Sequence, residues 1–420
     1  MSNRQLVIVG GGFAGVWAAM GAAAMLAREG GRERVSVTLV SPDEALVIRP
    51  RLYESDLSGV RVPLASLLPA LGVDHLRAAV TAIDVERRVL VLDGGEGGER
   101  PYDQLVLCAG SRLELPGEGV HCADGYEQAL RLRRAIGALR TAAGARALIV
   151  GGGFTGIELA CELAGSDPPL QVELLERSDQ IAPAFGPSAR AVIEEALRSL
   201  GVRTHTGVSV SAADAGGVTL ADGGRLHAEL VIWAGGPCAS ALGRQLGVPL
   251  DRAGRVLVDR HLGAGLDGVW AAGDAAAATV TGSQPALMSC QHAMPQGRLA
   301  GANAAAALLG RPPRAYRQPL YLTCLDLGRA GALLTAGFER DAILARGRSG
   351  KRFKRFINRS LIYPPAGAGA AAMLKLGGSR DGGAFSAAIQ RIALRSGAVR
   401  HVVTARGEDR AARHETAASP

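Results

Sequence analysis

Two short glycine patterns carry the clearest chemistry in this 420-residue chain. Gly10-x-Gly12-x-x-Gly15 follows the apolar run Leu6–Val9, and Gly151-x-Gly153-x-x-Gly156 follows Leu148–Val150. In each, the first glycine permits a tight turn. The second lets the backbone approach a pyrophosphate, and the third lets the next helix pack close to its strand. N–H groups at the start of that helix then face the phosphates. One such pattern is often only a turn. Two copies, each between a strand and a helix, point to two dinucleotide sites.

An acid about 20 residues beyond the last glycine is placed to accept from ribose hydroxyls. Glu176 stands 20 residues after Gly156. Its charge repels a 2′-phosphate, whereas the adjacent Arg177 would attract one. The bland alternative is a solvated Glu–Arg pair. In the first copy the corresponding strand ends at Val40-Ser41, and the nearest acids are Asp43 and Glu44. The ribose contact there falls to Ser41, to Asp43 or to water.

Both patterns need the same scaffold. A strand leads into the glycines, an Ala-rich helix follows (Ala14–Arg28; Thr155–Ala164), and a second apolar strand returns (Val35–Val40; Gln171–Leu175). This is a βαβ unit, and its parallel strands require the crossover helix. Gly156 lies 141 residues after Gly15. A solenoid repeats at ~20–50 residues, so the copies are two separate modules. Further strands are expected at Val80–Ile83, Val89–Leu92, Leu105–Leu107, Val208–Val210, Val218–Leu220, Leu230–Trp233 and Gly268–Ala272, with a helix at Ala189–Leu200. The fold class is α/β.

Composition narrows the function. Net charge is +8, but residues 341–420 hold 15 Lys or Arg against 5 Asp or Glu. The basic excess therefore belongs to the tail. Aromatic residues are 4 %, too few for base-stacking surfaces, and no nucleic-acid module accompanies the charge. The six cysteines show no CxxC or CxxxxC spacing, which argues against a dithiol centre and a zinc ribbon. No metal site is expected. The N-terminus offers no signal peptide and no stretch reads as a membrane span, so the expectation is a cytoplasmic protein. The tail mixes charge and apolar residues at Lys351–Arg359, and Ile389, Ile392, Ala393 and Val399 fit one helical face. Peripheral contact with the inner face of a membrane, through anionic lipid, is one reading; a capping or homodimer segment is the other.

The chain resembles the two-dinucleotide-binding-domain flavoproteins of glutathione-reductase-like fold. Tyr102-Asp103-x-Leu105-Val106-Leu107-Cys108-Ala109-Gly110-Ser111 is similar to that family's YDxLVLATGS segment. Trp233-Ala234-Gly235-Gly236 resembles its counterpart in the second module, and Val269–Ala275, with Gly273 and Asp274, resembles the late FAD motif. The resemblance implies an FAD-binding domain in two parts (1–116 and 238–310), an inserted NAD(P)H-binding domain (117–237) and a C-terminal region (311–420). It implies FAD and NADH as cofactors, with NADPH second.

Within that group the chain is most similar to type II NADH dehydrogenases. Pro50-Arg51-Leu52-Tyr53-Glu54 resembles their PLLYE stretch near the flavin, which makes Arg51 a cofactor contact. Gly156-x-Glu158 resembles their GxE, whose Glu lies near nicotinamide and flavin; the alternative is an exposed acid in the first helical turn. Glu54 has a surface alternative too. Cys290-Gln291-His292-Ala293-Met294-Pro295-Gln296 resembles their quinone-lining AQxAxQ, with Pro295 where the second Gln is expected. Gln291 would then hydrogen-bond the acceptor. His292 would either supply a proton or serve as a helix-start hydrogen-bonding residue. The implied activity is hydride transfer from NADH to FAD, then electron transfer to a quinone-like acceptor. The alternatives are a soluble flavin oxidoreductase of specialised metabolism and a redox-sensing flavoprotein that signals to a partner.

Overall fold

The computed structural model describes residues 3–94, 97–139, 144–167, 170–280, 282–318, 321–367 and 369–379. The apolar face expected around Ile389–Val399 lies outside them. Eight α-helices occur among the described residues: α1 (Phe13–Arg28), α2 (Leu68–Leu71), α3 (Tyr126–Leu139), α4 (Phe154–Ala164), α5 (Pro187–Ser199), α6 (Cys290–Leu308), α7 (Gly347–Phe356) and α8 (Gly369–Gly378).

Each glycine pattern follows an inner strand of its own parallel sheet. The first sheet has five strands, in the order Val269–Ala271, Gln104–Leu107, Arg4–Val9, Val35–Val40 and Asp74–Leu76. Val269–Ala271, from the second half of the chain, thus completes a sheet begun at residue 4. The second sheet runs Arg203–His205, Gln171–Leu175, Arg146–Val150 and Leu230–Trp233. The registers align Val9 with Val40 and Val150 with Leu175, so the strands end level and both turns open at the C-terminal edge. Ligands bind at that edge in open α/β sheets. The strand expected at Val208–Val210 instead runs Val210–Asp214, in an antiparallel sheet with Gly217–Leu220 and Arg225–His227.

Three glycines of α6 and α8 have a packing reason. α1 is buried almost all round, as its apolar composition on every face requires. α6 lies against it at backbone distance. A Cβ added at Gly297 or Gly301 would fall 2.0 Å from the carbonyl of Ala14 or Ala18. One added at Gly377 of α8 would fall 2.2 Å from Met20 O. Only glycine permits these approaches.

The C-terminal region folds back onto both modules. Its antiparallel sheet (Leu322–Asp326, Ala332–Ala336, Ala342–Ala345) packs against α4, α5 and α7. Among the described residues no helix is long and apolar enough to cross a membrane.

Candidate active site

The two turns are near copies. Gly10 has φ +112 and Gly151 φ +114, in the region that favours glycine. A Cβ at Gly15 or at Gly156 would fall 1.8 Å from the carbonyl oxygen of Gly10 or Gly151, so neither position accepts a side chain. Gly12 and Gly153 differ: a Cβ there would meet nothing within 4 Å. They cap α1 and α4 in extended conformation, and neither helix start has a side-chain cap. Each turn therefore offers open space and unclaimed helix-start N–H groups, which fits a pyrophosphate.

The strand ends differ. Glu176 Oε2 accepts from Gly152 N (2.7 Å), and Oε1 accepts from Ser178 N (2.9 Å) and Ser178 Oγ (2.8 Å). Burial pushes its carboxyl up, but these donors outweigh burial and hold it below the usual carboxylate range. Arg177 points to solvent. At the equivalent place in the first module, Ser41 Oγ accepts from Asp43 N (3.2 Å). Asp43 and Glu44 are both exposed there, and Glu44 pairs with Arg77 at the surface.

The late motif meets the first module beside its turn. Gly273 has φ +69, and its N donates to Gln296 Oε1 (2.8 Å). Asp274 accepts from Ser111 Oγ (2.6 Å) and faces Arg49 Nη1 at 3.7 Å. Arg49 also pairs with Asp124. Gly110 (φ +69) precedes Ser111, and Gly235 packs on the Trp233 ring. Arg51 needs correction as a cofactor contact. Its Nε donates to Glu54 Oε2 (3.0 Å) and its Nη1 to Ser58 O (3.1 Å) and Tyr363 Oη (2.7 Å). The guanidinium is spent on holding its own loop and the C-terminal region. Arg49, two residues earlier, takes the place beside Asp274.

Glu158 is not an exposed acid. It is 8 % exposed, and Oε1 accepts from Lys354 Nζ (2.7 Å) and Asp326 N (3.0 Å). Burial pushes the Glu158 carboxyl up against the pull of Lys354. Burial would lower Lys354, but the Glu158 carboxylate outweighs it and holds the ammonium above its ordinary value. Tyr53 Oη donates to Asp326 Oδ2 (3.0 Å), Lys354 lies over the Tyr53 ring, and Asn358 Nδ2 donates to Glu54 Oε1 (3.0 Å). Glu54 therefore belongs to this network rather than to the bare surface. An open cleft of ≈ 160 Å³ reaches it past Lys351 and Arg355.

At the start of α6 two predicted site residues have protein partners. With its amide oriented to match its partners, Gln291 donates to Leu322 O (2.6 Å) and accepts from Leu322 N (3.2 Å). It pins the C-terminal sheet to α6 with one N–H and its carbonyl oxygen, which leaves the second N–H as its one remaining donor for an acceptor. His292 is 1 % exposed and stacks on Tyr321 at 5.0 Å. Its Nδ1 lies 3.0 Å from Gln318 Oε1, to which Tyr316 Oη also donates (2.6 Å). Burial pushes the imidazole down to about 4. A neutral imidazole does not supply a proton near pH 7, so the hydrogen-bonding role is the one the structure supports.

The sequence pattern of the pyridine nucleotide-disulphide oxidoreductases matches residues 4–297. The chain belongs to that family. It is an NAD(P)H oxidoreductase that uses a flavin and a nicotinamide nucleotide. An NADH dehydrogenase-like protein of Mycobacterium tuberculosis is 43 % identical over 86 % of this chain and 94 % of its own. A demethylphylloquinone reductase of Synechocystis is 29 % identical, over 80 % and 87 % respectively. The solved NDH2 of Plasmodium falciparum in complex with NADH superposes with TM-score 0.71 at 13 % identity, over 92 % of this chain and 99 % of that one. Unlike its family's name, this oxidoreductase has only free cysteines, and burial pushes the Cys161 and Cys324 thiols up to about 12.

Sequence reasoning missed Arg49, Asp326 and Lys354. Arg49 had a signal, since it precedes the Pro50–Glu54 stretch by one residue. Lys354 had none: it lies 196 residues from Glu158 inside a basic run that reads as solvent-facing.

Proposed function

We propose that this oxidoreductase takes hydride from NADH onto FAD and passes the electrons to a quinone-class acceptor. One observation supports this most. Glu158, on the helix of the second turn, pairs with Lys354 (2.7 Å), Lys354 Nζ also donates to Cys324 O (2.9 Å), and Gln291 at the start of α6 bonds Leu322 of the same strand. The nicotinamide side and the flavin side thus converge on this strand and its buried cation. FAD, when bound, supplies the electron chemistry. The residues of this chain bind and orient. Gly12 and the start of α1 would hold FAD phosphates, with Asp274, Ser111 and Arg49 along its chain. Gly153, the start of α4 and Glu176 would hold NADH. Lys354 keeps a fixed positive charge where the two sites meet, and the C-terminal sheet walls off water.

In this reading FAD belongs to residues 1–116 and 238–310 and NADH to 117–237. The outward residues Arg348, Arg352, Arg355 and the 48 % exposed Phe356 of α7 support peripheral contact with anionic lipid. A second reading, a soluble acceptor other than quinone, is favoured by the engaged Gln291 amide.

Anaerobic titration with NADH and with NADPH, followed by a panel of quinones, O₂ and ferredoxin, tests the proposal. We expect one FAD per chain, rapid bleaching by NADH and fastest reoxidation by a quinone. Bleaching without quinone turnover would leave the second reading; absence of bound flavin would overturn both.

A further inference from the structure

We propose that Ser178 is a specificity-determining residue for the nicotinamide nucleotide, acting by positioning Glu176. This rests on the reading that Glu176 contacts the ribose. Two groups of opposite consequence stand side by side at the end of Gln171–Leu175. The Glu176 carboxylate accepts from a free ribose diol and repels a 2′-phosphate. The Arg177 guanidinium attracts that phosphate. An unrestrained carboxylate would pair with the guanidinium, and the edge would lose its preference.

The structure shows a restraint. Ser178 gives Oε1 two donors, its N–H at 2.9 Å and its hydroxyl at 2.8 Å, while Gly152 N holds Oε2 at 2.7 Å. Three donors fix the rotamer: Oε1 accepts two of them, and Oε2, which accepts one, keeps its second lone pair for a ribose hydroxyl. The carboxylate lies directly over the glycine turn: a Cβ at Gly152 would fall 3.1 Å from Glu176 Oε2. Among the described residues Arg177 makes no ion pair, and it is exposed at the surface.

The first module supplies an internal comparison. There Asp43 N donates to Ser41 Oγ (3.2 Å), as Ser178 N donates to Glu176. A Cβ at Gly11 would meet Ser41 Oγ at 2.7 Å, as one at Gly152 would meet Glu176. The backbone turn is therefore common to both sites. The hydroxyl donor of Ser178 and the carboxylate it holds occur only in the second, the site that must distinguish two nucleotides differing at one ribose position.

Ser178→Ala removes the hydroxyl and keeps the turn. We expect KM for NADH to rise about five-fold, the equivalent of one hydrogen bond of ~1 kcal/mol. The loss should fall on KM rather than kcat, and the NADPH-to-NADH ratio of kcat/KM should rise. Direct titration of the flavin-loaded protein with NAD⁺ and NADP⁺ should show the same shift in Kd. Ser178→Thr, which keeps the hydroxyl, should retain the wild-type ratio. Adding Arg177→Ala to Ser178→Ala should abolish the gained NADPH use. Glu176→Ala is the reference arm. If it shifts the ratio and Ser178→Ala does not, the role of Ser178 is overturned and the ribose contact stands. If Glu176→Ala leaves the ratio unchanged, the ribose reading itself fails. Flavin content and Tm of each variant exclude misfolding as the cause; a variant with lowered Tm and an unchanged ratio marks Ser178 as merely structural and overturns the proposal.

Discussion

Burial acts on Glu158 and on His292 through the same desolvation cost, yet the two end in different charge states. Glu158 has Lys354 at 2.7 Å and keeps a partner for its charge. Among the described residues His292 has only the neutral oxygens of Gln318 (3.0 Å) and Tyr316 (3.5 Å), and its Nε2 has no partner. Because Tyr316 Oη already donates to the Gln318 oxygen, the network assigns the proton of His292 to Nδ1. The pH consequence follows from the shift. The folded imidazole titrates at about 4, below the ordinary 6.5. Below pH 6.5 the unfolded chain gains a proton that the folded chain refuses, so this contribution to stability is present above that pH and is lost as pH falls towards 4. From this residue we expect a loss of about 2 kcal/mol by pH 5. Urea titrations at pH 7 and pH 5 should show it, and His292→Gln should flatten that part of the dependence. An equal slope in the variant would assign the loss to other groups.

At the scale of elements, α5 is capped from another part of the chain. Its own cap residue, Gly186, has no side chain to offer, and Pro187 opens the helix. Asp341, 152 residues beyond Ala189, accepts from Ser188 N (2.7 Å), Ala189 N (3.0 Å) and Ser188 Oγ (3.1 Å). The carboxylate also meets the positive end of the helix dipole. The same hairpin places Arg340 over the rings of Phe154 and Tyr321, so it ties α4 and α5 to the C-terminal sheet. Asp341→Ala should destabilise the protein by about 1–2 kcal/mol, as for a lost N-cap. Asp341→Asn should cost less. Thermal melts of the three proteins decide it, and no difference between wild type and Asp341→Ala would remove the cap from the stability of this fold.

At the scale of the whole molecule, the basic C-terminal region turns part of its charge inward and leaves part at the surface. Lys351 and Lys354 turn inward, to Asp326 and Glu158, and lock the region onto the second module. Deleting the chain from Lys351 onward would therefore strip the buried Glu158 of its cation, and it is not a clean test of membrane contact. Arg352 and Arg355 are exposed on α7. Their double reversal to Glu should weaken binding to anionic liposomes by at least about 2 kcal/mol, roughly thirty-fold, from the loss of ~1 kcal/mol per basic residue near such a surface. Flavin content and Tm should not change. Wild-type protein that ignores anionic and neutral vesicles alike would end the membrane reading.

Local chemistry made part of this legible without a structure. The glycine turns, the strands beside them and Glu176 follow from spacing alone, because a βαβ unit and its phosphate turn span about 30 contiguous residues. Gly10, Gly12 and Gly15 could therefore be placed from the sequence, as could Gly151, Gly153 and Gly156. The partners of Glu158, Gln291 and Arg51 could not. Lys354, Leu322 and Tyr363 reach them from 196, 31 and 312 positions away. A side chain's type says what it can bond, and its sequence neighbours say which local turn it sits in. Whether its donors are free for a ligand depends on which distant segment packs against it. Here the fold-back of the C-terminal region decided that: it bonded the Gln291 amide to Leu322, held the Arg51 guanidinium inside the protein and brought a lysine to Glu158.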